Sequence, residues 1–167
     1  MEFLELVRSR YSVRAYKAIP LEDEKLKQIL EAARLAPTGA NRQPFQLIVI
    51  HTSGREEELS IIYNRPWFVQ APVIICACAT TASAQPFREG GGYRDVAIVM
   101  DHLILAATSL GLGTCWIGAF DADAARDILG LPEEAHPVVF VTIGYSDDNP
   151  RPKVRKPIEE LVRYEHW

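Results

Sequence analysis

Hydrophobic residues along this chain recur with two different spacings, and the switches between them outline its secondary structure. Spacings of three and four residues, typical of one helix face, alternate with short β-branched runs, typical of buried strands. Helices are predicted over residues 2–8, 21–36, 53–62, 93–110, 121–129 and 158–163. Strands are predicted over residues 46–51, 73–79 and 138–143, with a further strand that ends at residues 116–120.

Polar residues and glycines set the predicted ends of these elements. Ser53 and Glu56 have the spacing of a capping box, which predicts a helix start, and Asp121 is placed to cap the helix that follows it. The stretch 63–67 is expected to break the preceding helix. Residues 80–92, which include three successive glycines, are expected to form a loop with mobile or closely approached backbone.

The predicted helix 93–110 is apolar on nearly every side, with Val96, Ile98, Met100 and Leu103 among its residues. Such a helix must be covered over most of its surface. It is therefore expected either at the centre of a domain or with one side against a second subunit.

Composition and charge narrow the class of protein. The 167 residues, 48% of them hydrophobic, are enough for one domain, 1–167, with a substantial core. A formal charge of −4 argues against a general nucleic-acid-binding protein, which needs an excess of Lys and Arg on one face. No apolar run reaches the length of a membrane span, and Glu2 and Glu5 stand where a signal peptide carries basic residues. A soluble cytoplasmic protein is expected.

The cysteines and histidines do not suggest a metal site. Cys76, Cys78 and Cys115 lie in apolar stretches, are odd in number and lack the spacing of zinc ligands. Buried, reduced thiols are therefore expected. The histidines are scattered, without pairing at helical spacing.

A short polar loop between a predicted helix and a predicted strand, residues 36–45, carries the first candidate chemistry. Thr38, Asn41 and Gln43 can donate and accept hydrogen bonds, and Gly39 allows backbone to approach a flat ligand. An ordinary capped connection between helix and strand has a similar composition. The loop alone does not decide between these two interpretations.

Two basic clusters near opposite ends of the acidic chain form the second candidate. In an extended segment Arg10, Ser12 and Arg14 point the same way, and guanidinium and hydroxyl donors suit phosphate oxygens. Residues 151–157 form the other cluster, although runs of surface charge are often only solvated. Together with the polar loop and with Gly118, which opens a strand end to a ligand, the clusters favour a phosphate-bearing aromatic cofactor.

Four segments stand in order along nearly the whole chain: RSRYSVR at 8–14, APTGANRQPF at 36–45, GLGTCWIG at 111–118 and PKVRKP at 152–157. Together they resemble the nitroreductase superfamily of FMN-dependent oxidoreductases, in its short form. The resemblance implies an α+β fold in which helices flank a central mixed, mostly antiparallel sheet. It also implies an intertwined homodimer with two FMN sites, each built from both subunits.

The resemblance further implies which residues bind the cofactor. From one subunit these are Arg10, Tyr11, Ser12, Arg14, Asn64, Trp116, Ile117, Gly118, Ala119, Lys153 and Arg155, and from the other Pro37, Thr38, Gly39 and Asn41. Within this set, Arg10, Ser12, Lys153 and Arg155 are expected at the FMN phosphate and Arg14 at the N1/O2 edge of the flavin.

The expected reaction is carried by the cofactor. NADH or NADPH would pass a hydride to flavin N5, near the backbone of Gly118 and Ala119, and then give way to an electron-poor acceptor such as a nitroaromatic or quinone, in a ping-pong cycle. Arg14 would stabilise charge that develops at N1, and no side chain is assigned as a catalytic acid or base. The alternatives are a flavin-binding or electron-relay protein, a flavin-modifying or dehalogenating relative with little NAD(P)H turnover, and an unliganded dimerisation domain.

The substrate pocket is expected to be bordered by Phe45, Phe87 and Tyr93. The segment before the long helix is short, whereas larger members of the superfamily carry an insertion there that covers the pocket. Phe87, Tyr93 and the glycines at 90–92 are therefore predicted to form a smaller or more mobile lid.

Overall fold

A computed structural model describes residues 2–80 and 91–167 of the chain, and in these ranges a central sheet separates two layers of helices. The helices are α1 (Phe3–Ser9), α2 (Asp23–Arg34), α3 (Glu56–Ile62), α4 (Pro66–Gln70), α5 (Gly91–Ser109), α6 (Ala122–Leu129) and α7 (Ile158–Leu161). The strands are β1 (Phe45–His51), β2 (Val73–Thr80), β3 (Gly113–Ile117) and β4 (Ala135–Gly144), and a 3₁₀ turn spans Gly39–Asn41.

The four strands have the order β1-β2-β4-β3, so that β1 and β3 form the two edges of the sheet. Every pair of neighbouring strands is antiparallel. A single bridge between Ser12 and Thr114 supplies the parallel pairing recorded in the described residues. The predicted α+β fold, with a mixed but mostly antiparallel sheet between helices, is confirmed.

Strand β2 is buried on both faces and contributes to two separate cores. Val73, Ile75 and Ala77 pack with α2 and α5, whereas Ile74 and Cys76 pack with α3, α4 and α6. This follows from the alternation of side chains along a strand, which sends neighbouring residues to opposite faces of the sheet. The continuous apolar run of β2 is therefore explained by helices on both faces.

Helix α5 packs against α2 and against each of the four strands. Its residues Val96, Val99, Met100 and Leu103 are buried, but Ile98 on another side keeps 39% of its surface exposed. The helix is therefore not enclosed at the centre of the domain. In the single chain one of its sides lies in the core and another is open to solvent.

Several predicted boundaries are wrong. The capping box is absent because Ser53 lies in a turn with Gly54, whose φ is +78°, and α3 begins only after Arg55 with no side-chain cap. The break predicted at 63–67 ends early, since Pro66 occupies the first turn of α4, where its missing N–H costs nothing.

The predicted loop 80–92 is shorter than expected at both ends. Thr80 closes β2, and α5 already begins at Gly91. A Cβ on Gly92 would stand 3.1 Å from the Ala79 Cβ, so the close approach predicted for these glycines is present. Residues 81–90, with Phe87 and Gly90, lie outside the described residues.

Candidate functional site

Residues 12–17 are held between the start of β3 and the end of β4. The N–H of Val13 donates to the Thr114 carbonyl at 2.9 Å, and the N–H of Lys17 donates to the Tyr145 carbonyl at 2.9 Å. A Cβ on Gly113 would come within 2.5 Å of Val13 Cγ2, so only glycine permits this packing without a shift. The segment that carries the first basic cluster is thereby fixed to the sheet.

An open pocket of about 340 Å³ lies where this segment meets the residues that follow β4. We call it the basic pocket. It is lined by Arg10, Tyr11, Ser12, Arg14, Asp148, Asn149, Arg151, Pro152, Lys153, Val154 and Arg155. The fold thus brings together two basic clusters that are separated by more than 130 residues of sequence.

The positive charges of the basic pocket are not neutralised by carboxylates. None of the five cations, Arg10, Arg14, Arg151, Lys153 and Arg155, forms an ion pair in the described parts of the chain, although the protein as a whole is acidic. Arg14 and Arg155 each donate to a backbone carbonyl, of Ser12 and Val154, but guanidinium groups without a carboxylate partner, near the Ser12 hydroxyl, are suited to bind a phosphate group. The donor set therefore fits the phosphate end of a nucleotide such as FMN.

Lys153 ties the segment after β4 to the end of α1. Its ammonium group donates to the carbonyl oxygens of Val7, Arg8 and Arg10, at 3.0, 2.7 and 2.6 Å. Burial, together with the neighbouring charges of Arg10 and Arg155, lowers the pKa of Lys153. The carbonyls at a helix end attract a cation, so Lys153 both caps α1 and adds charge to the basic pocket.

Asp148, also in the basic pocket, is not among the candidate residues that the sequence predicts. Its carboxylate accepts the backbone N–H of Arg14 at 2.7 Å and the hydroxyl of Tyr11 at 3.1 Å. Nothing in the local sequence could indicate these partners, because both lie at the other end of the chain.

Cys115 lies beneath the basic pocket. Burial raises the pKa of its thiol, against the opposite influence of Arg14, of a hydrogen bond from Ser12 and of Arg10. Cys76, Cys78 and Cys115 are all free and buried, as predicted.

The polar loop is braced in an unusual backbone conformation. Ala40, Asn41 and Gln43 all have φ values between +51° and +54°, which are costly for residues other than glycine. The N–H of Gly39 donates to the Asp95 carboxylate at 3.0 Å, and the N–H of Gln43 donates to the Thr38 hydroxyl at 3.1 Å. Such strain is common in segments that hold a ligand.

Within one chain the polar loop, with Pro37, Thr38, Gly39 and Asn41, is not brought to the basic pocket. The loop leads into β1 at one edge of the sheet, whereas the pocket lies beside β3 at the other edge. Three strand spacings of about 4.8 Å, roughly 14 Å in all, separate those edges. The predicted cofactor residues therefore form two groups in the single chain.

The predicted contacts at the end of β3 form a third set of residues, at the sheet edge opposite β1. Trp116 is 41% exposed, Ile117 is buried, and the exposed Gly118 and Ala119 donate no N–H hydrogen bond to the rest of the described chain. None of these residues lines the basic pocket.

Asn64 is exposed in the connection between α3 and α4. A hydrogen bond of 2.9 Å from the Asp121 N–H to the Ile62 carbonyl ties this connection to the residues that follow Gly118. This bond brings the connection that carries Asn64 close to the residues that follow β3.

The predicted substrate-pocket residues Phe45 and Tyr93 lie near the polar loop. Phe45 begins β1 directly after Pro44, and a Cβ on Gly92 would stand 3.6 Å from the Pro44 carbonyl. Tyr93, next to Gly92, is half exposed. Phe87 lies outside the described residues.

The described residues contain neither a cluster of metal-ligating side chains nor a helix that could span a membrane. No three His, Cys, Asp or Glu side chains at 2–80 and 91–167 are grouped so that they could hold a metal ion. In the same ranges no helix combines the length and apolar character needed to cross a membrane.

The fold and the basic pocket define an α+β protein with a cluster of cations at one edge of its sheet. The family model described as Nitroreductase family matches residues 7–63 and 59–145, and the chain belongs to this family. A solved structure of a nitroreductase family protein from Clostridium difficile 630 is 37% identical, with a TM-score of 0.90 and 100% of each chain covered.

Two relatives with named activities are also similar over most of their length. The FMN reductase (NAD(P)H) of Bacillus subtilis is 30% identical over 185 residues, which cover 99% of this chain and 74% of that protein. The NADPH-flavin oxidoreductase of Vibrio harveyi is 27% identical over 172 residues, which cover 95% of this chain and 72% of that protein.

Proposed function

We propose that this protein is an NAD(P)H-dependent oxidoreductase that uses FMN and reduces an electron-poor small molecule, such as a nitroaromatic or a quinone. The observation that carries the proposal is the convergence in one pocket of five cations, from both ends of the chain, none of which forms an ion pair in the described residues. The family and the names of the relatives supply the chemical class.

The basic pocket binds the FMN phosphate in this proposal. Arg10, Ser12 and Arg155 supply direct donors, and Lys153 adds its charge while it holds α1. Arg14 faces the N1/O2 edge of the flavin and stabilises negative charge there.

The flavin ring extends from the basic pocket along β3 in this proposal. The free N–H groups of Gly118 and Ala119 are donors for its N5 region, with Trp116, Ile117 and Asn64 completing that side. When bound, FMN accepts a hydride from NAD(P)H and passes the electrons to the acceptor in a ping-pong cycle. The protein binds and orients the reactants, and no side chain is assigned as an acid or a base.

The proposal requires a second copy of the chain. Pro37, Thr38, Gly39 and Asn41 lie at the opposite sheet edge from the basic pocket, so they can cover the cofactor only from a partner subunit. Phe45 and Tyr93 then border the acceptor site beside that loop, and Phe87 stays a prediction outside the described residues.

The residues that follow β4 give independent support for a dimer. Every residue in 149–167, a segment that we call the C-terminal arm, is exposed. Its large apolar side chains without cover are Val154, Ile158, Leu161, Val162, Tyr164 and Trp167. A contiguous stretch of exposed apolar side chains is typical of an interaction surface. We assign the arm to the surface of the partner subunit.

The visible spectrum of the purified protein, loaded with FMN if needed, tests the proposal when NADH and NADPH are added in turn without oxygen. A bound-flavin spectrum that one of them bleaches is expected, and an added quinone or nitroaromatic should restore it. Bound flavin that neither nucleotide bleaches would favour an electron-relay protein instead. A protein that takes up no FMN would refute the assignment of the basic pocket.

A further inference from the structure

One carboxylate, that of Asp148, lies among the five cations of the basic pocket. A negative charge at this place opposes the binding of a phosphate dianion. A pocket built only to attract anions would not contain it, so its presence requires another explanation.

The hydrogen bonds of Asp148 provide that explanation. One carboxylate oxygen accepts the N–H of Arg14 at 2.7 Å, and the other accepts the hydroxyl of Tyr11 at 3.1 Å. The Tyr11 hydroxyl also lies 3.1 Å from the Asp148 backbone carbonyl. Both oxygens of the side chain are thus engaged with the segment that carries Arg10, Ser12 and Arg14.

These bonds join the two chain segments that form the pocket. Tyr11 and Arg14 belong to the segment before α2, whereas Asp148 immediately precedes the C-terminal arm with Arg151 and Lys153. Hydrogen bonds to a carboxylate are stronger than those between neutral groups, so these contacts hold the two segments together.

Tyr11 is suited to remain the donor in this arrangement. Burial raises the pKa of its hydroxyl, opposed by a hydrogen bond with Ser146 and reinforced by Asp148. The hydroxyl therefore keeps its proton at neutral pH and continues to donate to the carboxylate.

We propose that Asp148 is a positioning residue of the cofactor site, which fixes Arg14 and Tyr11 against the base of the C-terminal arm. The inference rests on the proposed function, because it assigns Arg14 to the flavin edge. Asp148 acts by placing Arg14 and Tyr11, whereas its own negative charge opposes cofactor binding.

The two effects of Asp148 have opposite signs, which makes the inference testable. If the residue mattered only as a charge, Asp148→Asn and Asp148→Ala would tighten FMN binding and raise the reduction potential of bound FMN. If it positions Arg14, both variants bind FMN more weakly, with Asp148→Ala at least about tenfold weaker, and the potential falls because Arg14 no longer faces the flavin edge. Asparagine keeps one acceptor oxygen, so its effects should be the smaller.

Asp147→Asn is the matched control. It removes the same charge one residue away, but the Asp147 side chain is exposed and forms no hydrogen bond in the described structure. This control should leave FMN affinity unchanged or slightly increase it, without a fall in potential.

Titration of FMN by fluorescence quenching and anaerobic redox titration of the bound flavin supply the two readouts. Tighter or unchanged FMN binding in the Asp148 variants would overturn the inference. Weaker binding with an unchanged potential would also overturn it, since that result indicates only a loss of structure. If circular dichroism shows that Asp148→Ala does not fold, the FMN affinity and reduction potential of Asp148→Asn decide the test. Absence of FMN binding by the wild-type protein would instead refute the proposed function.

Discussion

Charged side chains on α2 and in the basic pocket have different surroundings. On α2 they pair with neighbours one turn away, as Arg34 does with Glu31 at 2.7 Å and Lys25 with Glu22 at 3.3 Å. Such exposed pairs contribute little to stability. The cations of the basic pocket have no such partners, and their charge remains available for a ligand.

Replacement of Arg10 by alanine should therefore weaken FMN binding. A lost charge-assisted hydrogen bond to phosphate costs about 1.5–3 kcal/mol, or roughly a 10- to 150-fold higher Kd. The measurement is a fluorescence titration of the apoprotein with FMN and, in parallel, with riboflavin, which has no phosphate. The Kd for riboflavin should change much less.

The matched control for Arg10→Ala is Arg8→Ala. Arg8 belongs to α1, is exposed and does not line the basic pocket. Equal losses of FMN affinity in the two variants would show that only the overall charge matters, and would remove Arg10 from the site.

A second prediction at the residue scale concerns Gly113. A Cβ at this position would lie within 3.2 Å of all three side-chain carbons of Val13, so Gly113→Ala should lower the free energy of unfolding by about 1–3 kcal/mol. Urea denaturation of the apoprotein measures the change. Gly118→Ala, whose Cβ would have a nearest neighbour at 3.9 Å, should have little effect on stability. Similar losses in both variants would contradict the packing argument.

Among the helices, α6 has the end signals that its sequence predicts. The Asp121 side chain accepts the N–H of Ala124 at 2.9 Å, and Gly130 ends the helix in the left-handed region with a φ of +62°. Helix α3 lacks a side-chain cap, although Ser53 has a suitable spacing. The difference arises because Gly54 turns the chain before α3 starts.

The two predicted caps should consequently respond differently to alanine. Asp121→Ala removes the side-chain cap of α6 and should lower the free energy of unfolding by about 1 kcal/mol. For a chain of this size, that corresponds to a melting temperature lower by roughly 2–4 °C. Ser53→Ala should shift the melting temperature by less than that. Thermal unfolding followed by circular dichroism tests both, and a larger effect at Ser53 would mean that the capping box operates after all.

For the molecule as a whole, the main feature is the separation of the proposed cofactor residues between two sheet edges. Strand order places the polar loop beside β1 and the basic pocket beside β3. The C-terminal arm is exposed throughout, and exposure of its large apolar side chains to water is unfavourable. Both features are explained if two chains exchange their arms and share two sites.

Removal of residues 158–167 should accordingly convert a dimer into a monomer. The truncated chain keeps Arg151, Lys153 and Arg155 of the basic pocket. Of the exposed apolar residues of the arm it keeps only Val154 and loses Ile158, Leu161, Val162, Tyr164 and Trp167. Light scattering coupled to gel filtration gives the mass, and FMN titration should show weaker binding because the partner's polar loop is absent. Substitution of Glu159 and Glu160 by glutamine in the full chain is the control and should preserve the dimer. A truncated chain that remains dimeric would assign the interface elsewhere.

Most elements of the fold, and the residue types of the basic pocket, could be predicted from local patterns in the sequence. The apolar periodicity is a local property, so α2, α5, β1, β2 and the Asp121 cap could be predicted from it. The arginines at 10 and 14 could be selected because guanidinium groups next to a serine suit phosphate in any fold. The capping box at Ser53 failed because a single glycine with positive φ changes where the helix begins.

Contacts between residues that are far apart along the chain could not be predicted in this way. The contacts of Asp148 with Tyr11 and Arg14, and of Lys153 with the end of α1, join segments more than 130 residues apart, and no local pattern encodes them. Strand order, likewise, placed the polar loop and the basic pocket at opposite edges. The physical reason is that pairing between strands depends on the packing of the whole core, whereas the periodicity of each segment depends only on its own residues.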